Sequence, residues 1–482
     1  MSNPKVDVAI IGAGTAGLSA RRAAASRGAS VALIDPGPYG TTCARVGCMP
    51  SKLLISAADA AWHARHAGVF GVETQVQVDG PAVMRRVQAE RDRFAGFVVK
   101  AIDELRQDGV LVSARARFTG PNRLALRHVD GSESLLDARA FVIATGSRPF
   151  VPPPWRVLSE PTLLTTDQLF ELPDLPKSLL VVGAGVIGLE LGQAMHRLGV
   201  RTTILSIGGQ IAFIKSRQVN AEAARILKSE LDLHLEHELL SVEEGEEGVR
   251  VRFKGEDGIP REEVFEKVLM GAGRSPNWEG LDLQQAGVPL DERGRPDVNP
   301  YTNQVGDTHI FVAGDVSGHR PILHEAADEG RMAGTNAATW PRVAAEPRKT
   351  PLSIMFTDPQ VASVGTSWPE MNCAESRVGT VDYGDQGRAR VMNEHRGMVR
   401  IAGQAGTGLL LGAQMVGPRV EHTAHLLAWA VQSRMTVGEA LQMPFYHPVV
   451  EEGIRTALRD LQGKLHLAHA PGVPCEEFGV GG

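Results

Sequence analysis

Two cysteines five residues apart, Cys43 and Cys48, are the residues of this sequence best suited to redox chemistry. The chain of 482 residues has 4 cysteines, too few for the disulfide framework of a small secreted domain. Such a pair can form one reversible disulfide, supply half of a zinc site, or be two unrelated buried thiols. A zinc site needs a second close pair, and Cys373 and Cys475 stand apart without neighbouring cysteine or histidine ligands.

The composition is that of an ordinary folded chain with more than one domain. Its length is about three times that of a single domain, and 43% of its residues are apolar and 22% charged. The net charge of -6 and the lack of a Lys/Arg-rich block argue against a nucleic-acid partner. The sequence shows no export signal and no apolar run of about 18 or more residues. We therefore expect a cytosolic protein without a membrane partner or a bound metal.

The elements that must position this chemistry begin with a complete βαβ unit. Val6 to Ile11 predicts a buried strand, Leu18 to Arg27 a helix, and Val31 to Ile34 a second strand. The turns of this unit contain Gly12, Gly14, Gly17 and Asp35. In such units the glycines give a tight turn, room for a pyrophosphate and close helix–strand packing, while the acid accepts a hydrogen bond from a ribose.

The same pattern returns in a second copy. Leu179 to Val182 predicts a strand, Leu189 to Leu198 a helix, and Thr202 to Leu205 the next strand. The turns of the second copy contain Gly183, Gly185, Gly188 and Ser206, with Ser206 in the position that Asp35 has in the first. Two such sites imply two dinucleotides, and a flavin beside a nicotinamide is the economical choice because one can pass a hydride to the other.

Three further apolar strands end in small polar or charged turns. They begin near residues 141, 268 and 309, and their turns contain Thr145, Gly146, Ser147, Gly273, Arg274 and Asp315. An acid at the carboxyl end of a buried strand faces the ligand crevice of such sheets, although on position alone Asp315 could cap the segment that follows. After residue 346, alternating apolar strands and an amphipathic helix near 420–434 predict a third domain.

The segment from Gly40 to Lys52, GTTCARVGCMPSK, closely resembles the redox-disulfide segment of the class I pyridine nucleotide-disulfide oxidoreductases. Further motifs agree with the family in the same order along essentially the whole chain: both glycine turns, Ala144-Thr-Gly, Gly273-Arg-Ser-Pro, Ala313-Gly-Asp and His447-Pro. The resemblance implies an α/β fold with two Rossmann-like domains, for FAD and NAD, and an α+β C-terminal dimerisation domain. The implied boundaries are 1–150 and 273–345 for the FAD-binding domain, 151–272 for the NAD(P)-binding domain, and 346–482 for the dimerisation domain.

The resemblance also implies roles for single residues. Cys43 would exchange with the substrate thiol and Cys48 would lie against the flavin, while a helix terminus and Lys52 would lower the thiol pKa. Lys52 would pair with Glu190. Besides the turn glycines, Asp35 and Ser206, the implied cofactor-binding residues are Thr42, Lys52, Ala116, Thr145, Gly146, Ser147, Glu190, Gly273, Arg274 and Asp315.

His447, followed by Pro448 and by Glu452 five residues on, resembles the His-Pro-x-x-x-Glu dyad of the family. There the acid orients an imidazole that takes the proton from the incoming thiol. Because the family histidine serves the disulfide of the partner subunit, the resemblance implies a homodimer.

Within the family, the residues favour oxidation of dihydrolipoamide, free or as a lipoyl group on a carrier domain, with NAD. Ser206 replaces the glutamate common in NAD-using relatives, but residues 206–214 contain no arginine to hold a 2'-phosphate, and Gly188 keeps the third glycine. A mercuric reductase would carry two vicinal cysteines where Cys475 stands alone. A glutathione-reductase-like NADPH enzyme and a flavin-only NAD(P)H:quinone or diaphorase activity remain open.

Overall fold

The structure is a computed structural model that describes residues 4–366, 368, 371–372 and 374–465. Cys373, Cys475 and the tail after Leu465, noted in the sequence, lie outside the described residues. The helices are α1 Thr15–Ser26, α2 Thr42–Val46, α3 Cys48–Arg65, α4 Gly80–Gln107, α5 Thr166–Leu169, α6 Val186–Arg197, α7 Arg217–Lys228, α8 Leu323–Thr339, α9 Gly387–Val391, α10 Val420–Gln432, α11 Val437–Gln442 and α12 Glu452–Leu465.

The strands follow the same chain order. They are β1 Lys5–Ile11, β2 Val31–Ile34, β3 Leu111–Val112, β4 Ala114–Gly120, β5 Arg123–His128, β6 Glu133–Ile143, β7 Ser147–Pro149, β8 Leu163–Leu164, β9 Ser178–Val182, β10 Arg201–Leu205, β11 Asp232–His234, β12 Glu238–Gly245, β13 Gly248–Lys254, β14 Pro260–Phe265, β15 Lys267–Met270, β16 Arg274–Pro276, β17 Ile310–Val312, β18 Leu352–Met355, β19 Gln360–Gly365, β20 Ser376–Asp382, β21 Met398–Gln404 and β22 Leu410–Gly417.

The chain divides into two compact units. The first unit is formed by Met1–Pro176 and Ala272–Arg348. Its main sheet has the order β3-β2-β1-β6-β5-β4, with β17 also paired to β6. The pairs β1–β2, β1–β6, β2–β3 and β6–β17 are parallel, whereas β4–β5 and β5–β6 are antiparallel. The middle of β1 is fully buried, as expected for a strand covered on both faces.

Helix α1 lies between two close neighbours in the first unit. On the side of β1, a Cβ added to Gly17 would lie 1.8 Å from the carbonyl oxygen of Gly12. On the side of α8, a Cβ on Gly330 would lie 2.2 Å from the carbonyl oxygen of Ala16, and one on Gly334 2.2 Å from that of Ala20. Glycine at these positions therefore allows the backbones to touch, which fixes the start of α1 relative to the end of β1.

The second unit is formed by Lys177–Gly271 and Lys349–Gly482. Four of its strands form a parallel sheet in the order β11-β10-β9-β15, and β12, β13 and β14 form an antiparallel sheet. The C-terminal part contains a five-stranded antiparallel sheet in the order β18-β19-β22-β21-β20. Helices α10 and α12 share one hydrophobic core with this sheet, centred on residues such as Tyr383, Met415 and Leu461. The helix predicted near 420–434 is α10, so that prediction is confirmed.

Candidate active site and dinucleotide-binding turns

The two cysteines are brought together by a break between two helices. Cys43 is the second residue of α2, Cys48 is the first of α3, and Gly47 alone separates the helices. Ahead of them Thr41 has a φ of 63°, and its side chain accepts a hydrogen bond from the backbone N–H of Ala44. A Cβ on Gly47 would lie 3.0 Å from the carbonyl oxygen of Thr42 and 3.2 Å from the Cα of Cys43. Glycine thus lets α3 begin directly against the first turn of α2.

Both cysteines are present as thiols, with Cys43 half-buried and Cys48 exposed. A hydrogen bond to Cys48, together with burial, raises the pKa of the Cys43 thiol above its ordinary value. The charge of Lys52 acts in the opposite direction but is a smaller effect. The expectation of a lowered thiol pKa is therefore wrong for Cys43 in this dithiol state. Two neighbouring thiols cannot both ionise easily, so the proton of Cys43 needs a base to remove it.

The first glycine turn is shaped to receive a phosphate group. Gly12 has a φ of 110°, and a Cβ there would lie 2.3 Å from the carbonyl oxygen of Ala144. A Cβ on Gly14, by contrast, would meet no atom of the described residues within 4 Å. Asp35 closes the turn, since Oδ2 accepts from the N–H of Ala13 and Oδ1 from the N–H of Gly37, each at 2.7 Å. The open side of Gly14, at the N-terminus of α1, fits a pyrophosphate.

The second glycine turn repeats this geometry in the other unit. Gly183 has a φ of 113°, and a Cβ on Gly188 would lie 1.9 Å from the carbonyl oxygen of Gly183. Around Gly185 the nearest atom to an added Cβ is 3.7 Å away. The Ser206 hydroxyl accepts a hydrogen bond of 3.1 Å from the N–H of Ala184, so serine holds the turn as Asp35 does in the first copy. The residues present therefore fit two dinucleotides.

The strand ends of the first unit form a connected polar network. Asp315 Oδ2 accepts a hydrogen bond from the Ser147 hydroxyl at 2.7 Å, and the same hydroxyl accepts from Arg274 Nε at 2.8 Å. Thr145 and Asn277 exchange side-chain hydrogen bonds with each other's carbonyl oxygens. The sequence placed only Asp315 at a ligand crevice, and the Ser147 hydroxyl links Asp315 to Arg274. Gly146, with a φ of 69°, and Gly273, with a φ of 104°, lie next to them in the same turns.

A buried acid on α8 supports this network and was missed by sequence reasoning. Glu329 Oε2 accepts a hydrogen bond of 2.7 Å from the N–H of Gly314, the residue before Asp315. Its other oxygen accepts one of 2.7 Å from Arg348. Burial raises the pKa of Glu329, while Arg348 opposes the rise. No local motif signals this contact, because 15 residues separate the acid from its backbone partner.

His447 and Glu452 form the predicted dyad geometry. Nδ1 of His447 lies 3.1 and 3.0 Å from the two carboxylate oxygens of Glu452, at the start of α12. This hydrogen bond holds the pKa of Glu452 below its ordinary value. The Gln386 amide donates to the carbonyl of Val449 at 2.8 Å and so fixes the chain between the two residues. With Nδ1 bonded to the acid, Nε2 is left for proton transfer, and the ring is 80% exposed.

The other residues predicted to bind the cofactors lie on α2, α3, β4 and α6. Thr42 is the first residue of α2, and Ala116 lies on β4 against the core of the first unit. Lys52 is on α3, with Nζ 3.4 Å from the Ser51 hydroxyl. Glu190 is buried on α6 in the second unit and accepts a hydrogen bond from the N–H of Phe356. The pairing of Lys52 with Glu190 stays a prediction.

His237 is a second residue that the sequence did not point to. Its Nδ1 lies 2.6 Å from the carbonyl oxygen of Ser206. The residue follows β11, the strand beside β10, so the fold places an imidazole at the end of the second nucleotide turn.

Two family models match this chain. That of the pyridine nucleotide-disulphide oxidoreductases matches residues 6–330, and that of the dimerisation domain of the same group matches residues 352–458. The chain belongs to this family. It is therefore an FAD-dependent disulfide oxidoreductase that uses a pyridine nucleotide, and the motif-based assignment to the family is confirmed.

Relatives whose names give different activities are about equally similar to this chain in sequence. A dihydrolipoyl dehydrogenase of Haloferax volcanii is 31% identical over 472 residues, spanning 95% of this chain and 96% of the relative. A mercuric reductase of Streptomyces lividans is 30% identical over 450 residues, spanning 92% and 93%. The crystal structure of LpdA from Mycobacterium tuberculosis gives a TM-score of 0.79 at 27% identity, covering 95% of this chain and 99% of that one.

The described residues also bear on metal binding and on membrane insertion. No group of three or more His, Cys, Asp or Glu side chains among them is arranged to hold a metal ion. None of the helices that the structure describes is both long and apolar enough to cross a membrane.

Proposed function

We propose that the protein is a dihydrolipoyl dehydrogenase, which oxidises dihydrolipoamide to lipoamide with NAD+ through a Cys43–Cys48 disulfide. The observation that carries the proposal is the break at Gly47, which places two hydrogen-bonded thiols at the adjoining ends of α2 and α3. In the net reaction the dithiol loses two electrons and two protons. One proton and both electrons go to NAD+ as a hydride, and the second proton is released to solvent.

The bound FAD supplies the two-electron carrier between the protein dithiol and the nicotinamide. We assign it to the first glycine turn and the Ser147–Arg274–Asp315 network, and the nicotinamide dinucleotide to the second turn. Cys48 is the cysteine beside the flavin in this proposal, and its exposure leaves room for a ring system. Cys43 then exchanges with the substrate. A substrate thiolate attacks its sulfur, the protein disulfide opens, and the second substrate thiol releases Cys43 as it closes the lipoyl disulfide.

His447 is the base in this proposal. The pKa of Cys43 is raised, and the pKa of an ordinary substrate thiol lies above neutral pH. Both thiols therefore need a base to remove their protons near neutral pH, and an imidazole is suited to this role. Glu452 orients the ring through Nδ1 and stabilises the imidazolium that forms. We propose that His447 serves the disulfide of a partner subunit in a homodimer, which the matched dimerisation domain supports.

The preference for NAD over NADP is proposed from the second turn. No lysine or arginine lies between residues 206 and 214 to bind a 2'-phosphate, and Gly188 keeps the tight helix–strand contact. The dihydrolipoyl dehydrogenases among the relatives support the same substrate pair.

A two-substrate assay of the purified protein tests this function. We expect a higher kcat/KM for dihydrolipoamide with NAD+ than for glutathione disulfide with NADPH. A result in the opposite order would replace the proposal with the glutathione-reductase-like alternative. Because one relative is named a mercuric reductase, NAD(P)H oxidation dependent on Hg(II) should be measured beside them.

Thiol counting separates the disulfide mechanism from a flavin-only activity. After anaerobic reduction by NADH, we expect about two more titratable thiols per chain than in the oxidised enzyme. Cys43→Ser and Cys48→Ser should each lose dihydrolipoamide oxidation but keep NADH oxidation by ferricyanide. Equal thiol counts before and after reduction would contradict the proposed redox role.

A further inference from the structure

The adenosine end of the second dinucleotide site has an unusual set of side chains. In the first copy Asp35 offers a charged carboxylate, which bonds two backbone N–H groups and still has lone pairs for a ribose. In the second copy Ser206 has a single uncharged hydroxyl, whose oxygen accepts from the N–H of Ala184. The end of β10 therefore lacks the carboxylate that usually accepts the ribose 2'-hydroxyl.

The loop after Ser206 does not replace that acceptor. Residues 207–214 contain no charged side chain, and Ile207 is 78% exposed. Gln210 is the polar side chain of this stretch, and both ends of its amide are engaged, by the carbonyl of Ala212 and by Lys215.

His237 has the acceptor that the loop lacks. A backbone carbonyl only accepts hydrogen bonds, so the 2.6 Å contact with the oxygen of Ser206 requires Nδ1 of His237 to carry the proton. In the neutral ring Nε2 then has a lone pair, and it has no hydrogen bond among the described residues. The contact with Ser206 anchors this lone pair beside the end of β10.

We infer that His237 Nε2 accepts the hydrogen bond of the adenosine ribose 2'-hydroxyl and thereby selects NAD over NADP. This inference rests on the proposed function, because it assigns the second site to a nicotinamide dinucleotide. A lone pair attracts a hydroxyl but repels the oxygens of a 2'-phosphate. Charges of both signs lie beside the loop: the Glu236 carboxylate, 3.1 Å from where a Cβ on Gly209 would be, and the Lys215 ammonium, which donates to Gln210.

Binding of nucleotide fragments to the FAD-loaded enzyme tests the inference without turnover. The probes are 5'-AMP, 2'-deoxy-5'-AMP and 2',5'-ADP, measured by calorimetry at pH 8.5, where an ordinary imidazole is neutral. We expect 5'-AMP to bind the wild type about 3–10-fold more tightly than the deoxy form, the range of one neutral hydrogen bond. His237→Leu should remove this difference and improve 2',5'-ADP binding relative to 5'-AMP.

Two further variants show whether the effect of His237→Leu comes from the loss of the Nε2 acceptor. His66→Leu changes another histidine whose Nδ1 bonds a backbone carbonyl, that of Trp62, and should leave all three affinities unchanged. His237→Gln retains an acceptor oxygen and should restore part of the preference, and it also carries the test if the leucine variant does not fold. An unchanged ratio of 5'-AMP to deoxy-AMP affinity in His237→Leu would overturn the inference. Failure of the dihydrolipoamide assay alone would overturn the proposed function while leaving this ratio intact.

Discussion

Replacing Gly17 with alanine tests how tightly the first nucleotide turn is built. The new Cβ would lie 1.8 Å from the carbonyl oxygen of Gly12, whereas an ordinary carbon–oxygen contact begins at about 3.3 Å, so the backbones must separate by about 1.5 Å. Helix α1 cannot move back freely, because α8 touches its other side at Gly330 and Gly334. We therefore expect a cost of about 3 kcal/mol, the upper part of the range for overpacking, and a Tm lower by about 6–12 °C.

Two other glycine-to-alanine variants serve as controls for Gly17→Ala. Gly14→Ala has space for its Cβ, so the apoprotein should keep its stability within about 1 kcal/mol but lose FAD affinity, since the methyl group occupies the proposed phosphate position. Gly96→Ala, in the exposed middle of α4, should stabilise by about 0.5–1 kcal/mol through helix propensity.

The assay is thermal unfolding of FAD-free protein together with the FAD content of the holoprotein, because bound cofactor would itself raise the Tm. A Gly17→Ala protein with a Tm within 2 °C of wild type and full FAD content would refute the packing argument. Full FAD affinity in Gly14→Ala would refute the placement of the pyrophosphate.

Three further variants probe the dithiol site and the C-terminal core. Glu452→Gln should lower kcat for dihydrolipoamide by about 10–100-fold, because His447 loses the carboxylate that stabilises its charged form, while NADH:ferricyanide activity stays unchanged. An equal loss of both activities would point to misfolding instead. Gly47→Ala should displace Cys43 by a few tenths of an ångström and slow disulfide closure, measured by thiol quenching of the NADH-reduced enzyme as it reoxidises, with FAD content as the control. Tyr383→Phe should raise the free energy of unfolding by about 1 kcal/mol in urea titrations, since the hydroxyl is buried without a hydrogen bond among the described residues. A loss of stability there would show that the hydroxyl is bonded.

The sequence predicted the repeated nucleotide folds well because their signals are local. Strand β2 was predicted with the bounds that the structure has, and Ser206 was expected to replace Asp35. The structure confirms the correspondence of position, since each side chain accepts the middle N–H of its own glycine turn. Strand periodicity, glycine spacing and the terminal polar residue lie within about thirty residues, so tertiary contacts do not alter them.

Contacts between distant segments could not be predicted in this way. The hydrogen bonds of Glu329 to Gly314 and of His237 to Ser206 depend on which strand or helix lies next to another, which no spacing encodes. The pKa of Cys43 was predicted in the wrong direction for a related reason. The prediction considered a helix terminus and Lys52, but the hydrogen bond to Cys48 and burial have a larger effect on the Cys43 pKa than Lys52 has in the folded dithiol.

The first unit is formed by two segments that are far apart in the sequence, and this has a consequence for biosynthesis. Strand β17 and helix α8 come from residues 310–339, yet they complete a sheet and cover a helix made from the first 143 residues. A ribosome adding about 5–20 residues per second needs roughly 10–40 s to make the intervening chain. During that interval the edge of β6 that pairs with β17 has no partner strand, and unpaired strand edges promote aggregation. Residues 177–271 can form their own sheet first, so retention of the cofactor proposed for the first unit becomes possible only late in synthesis.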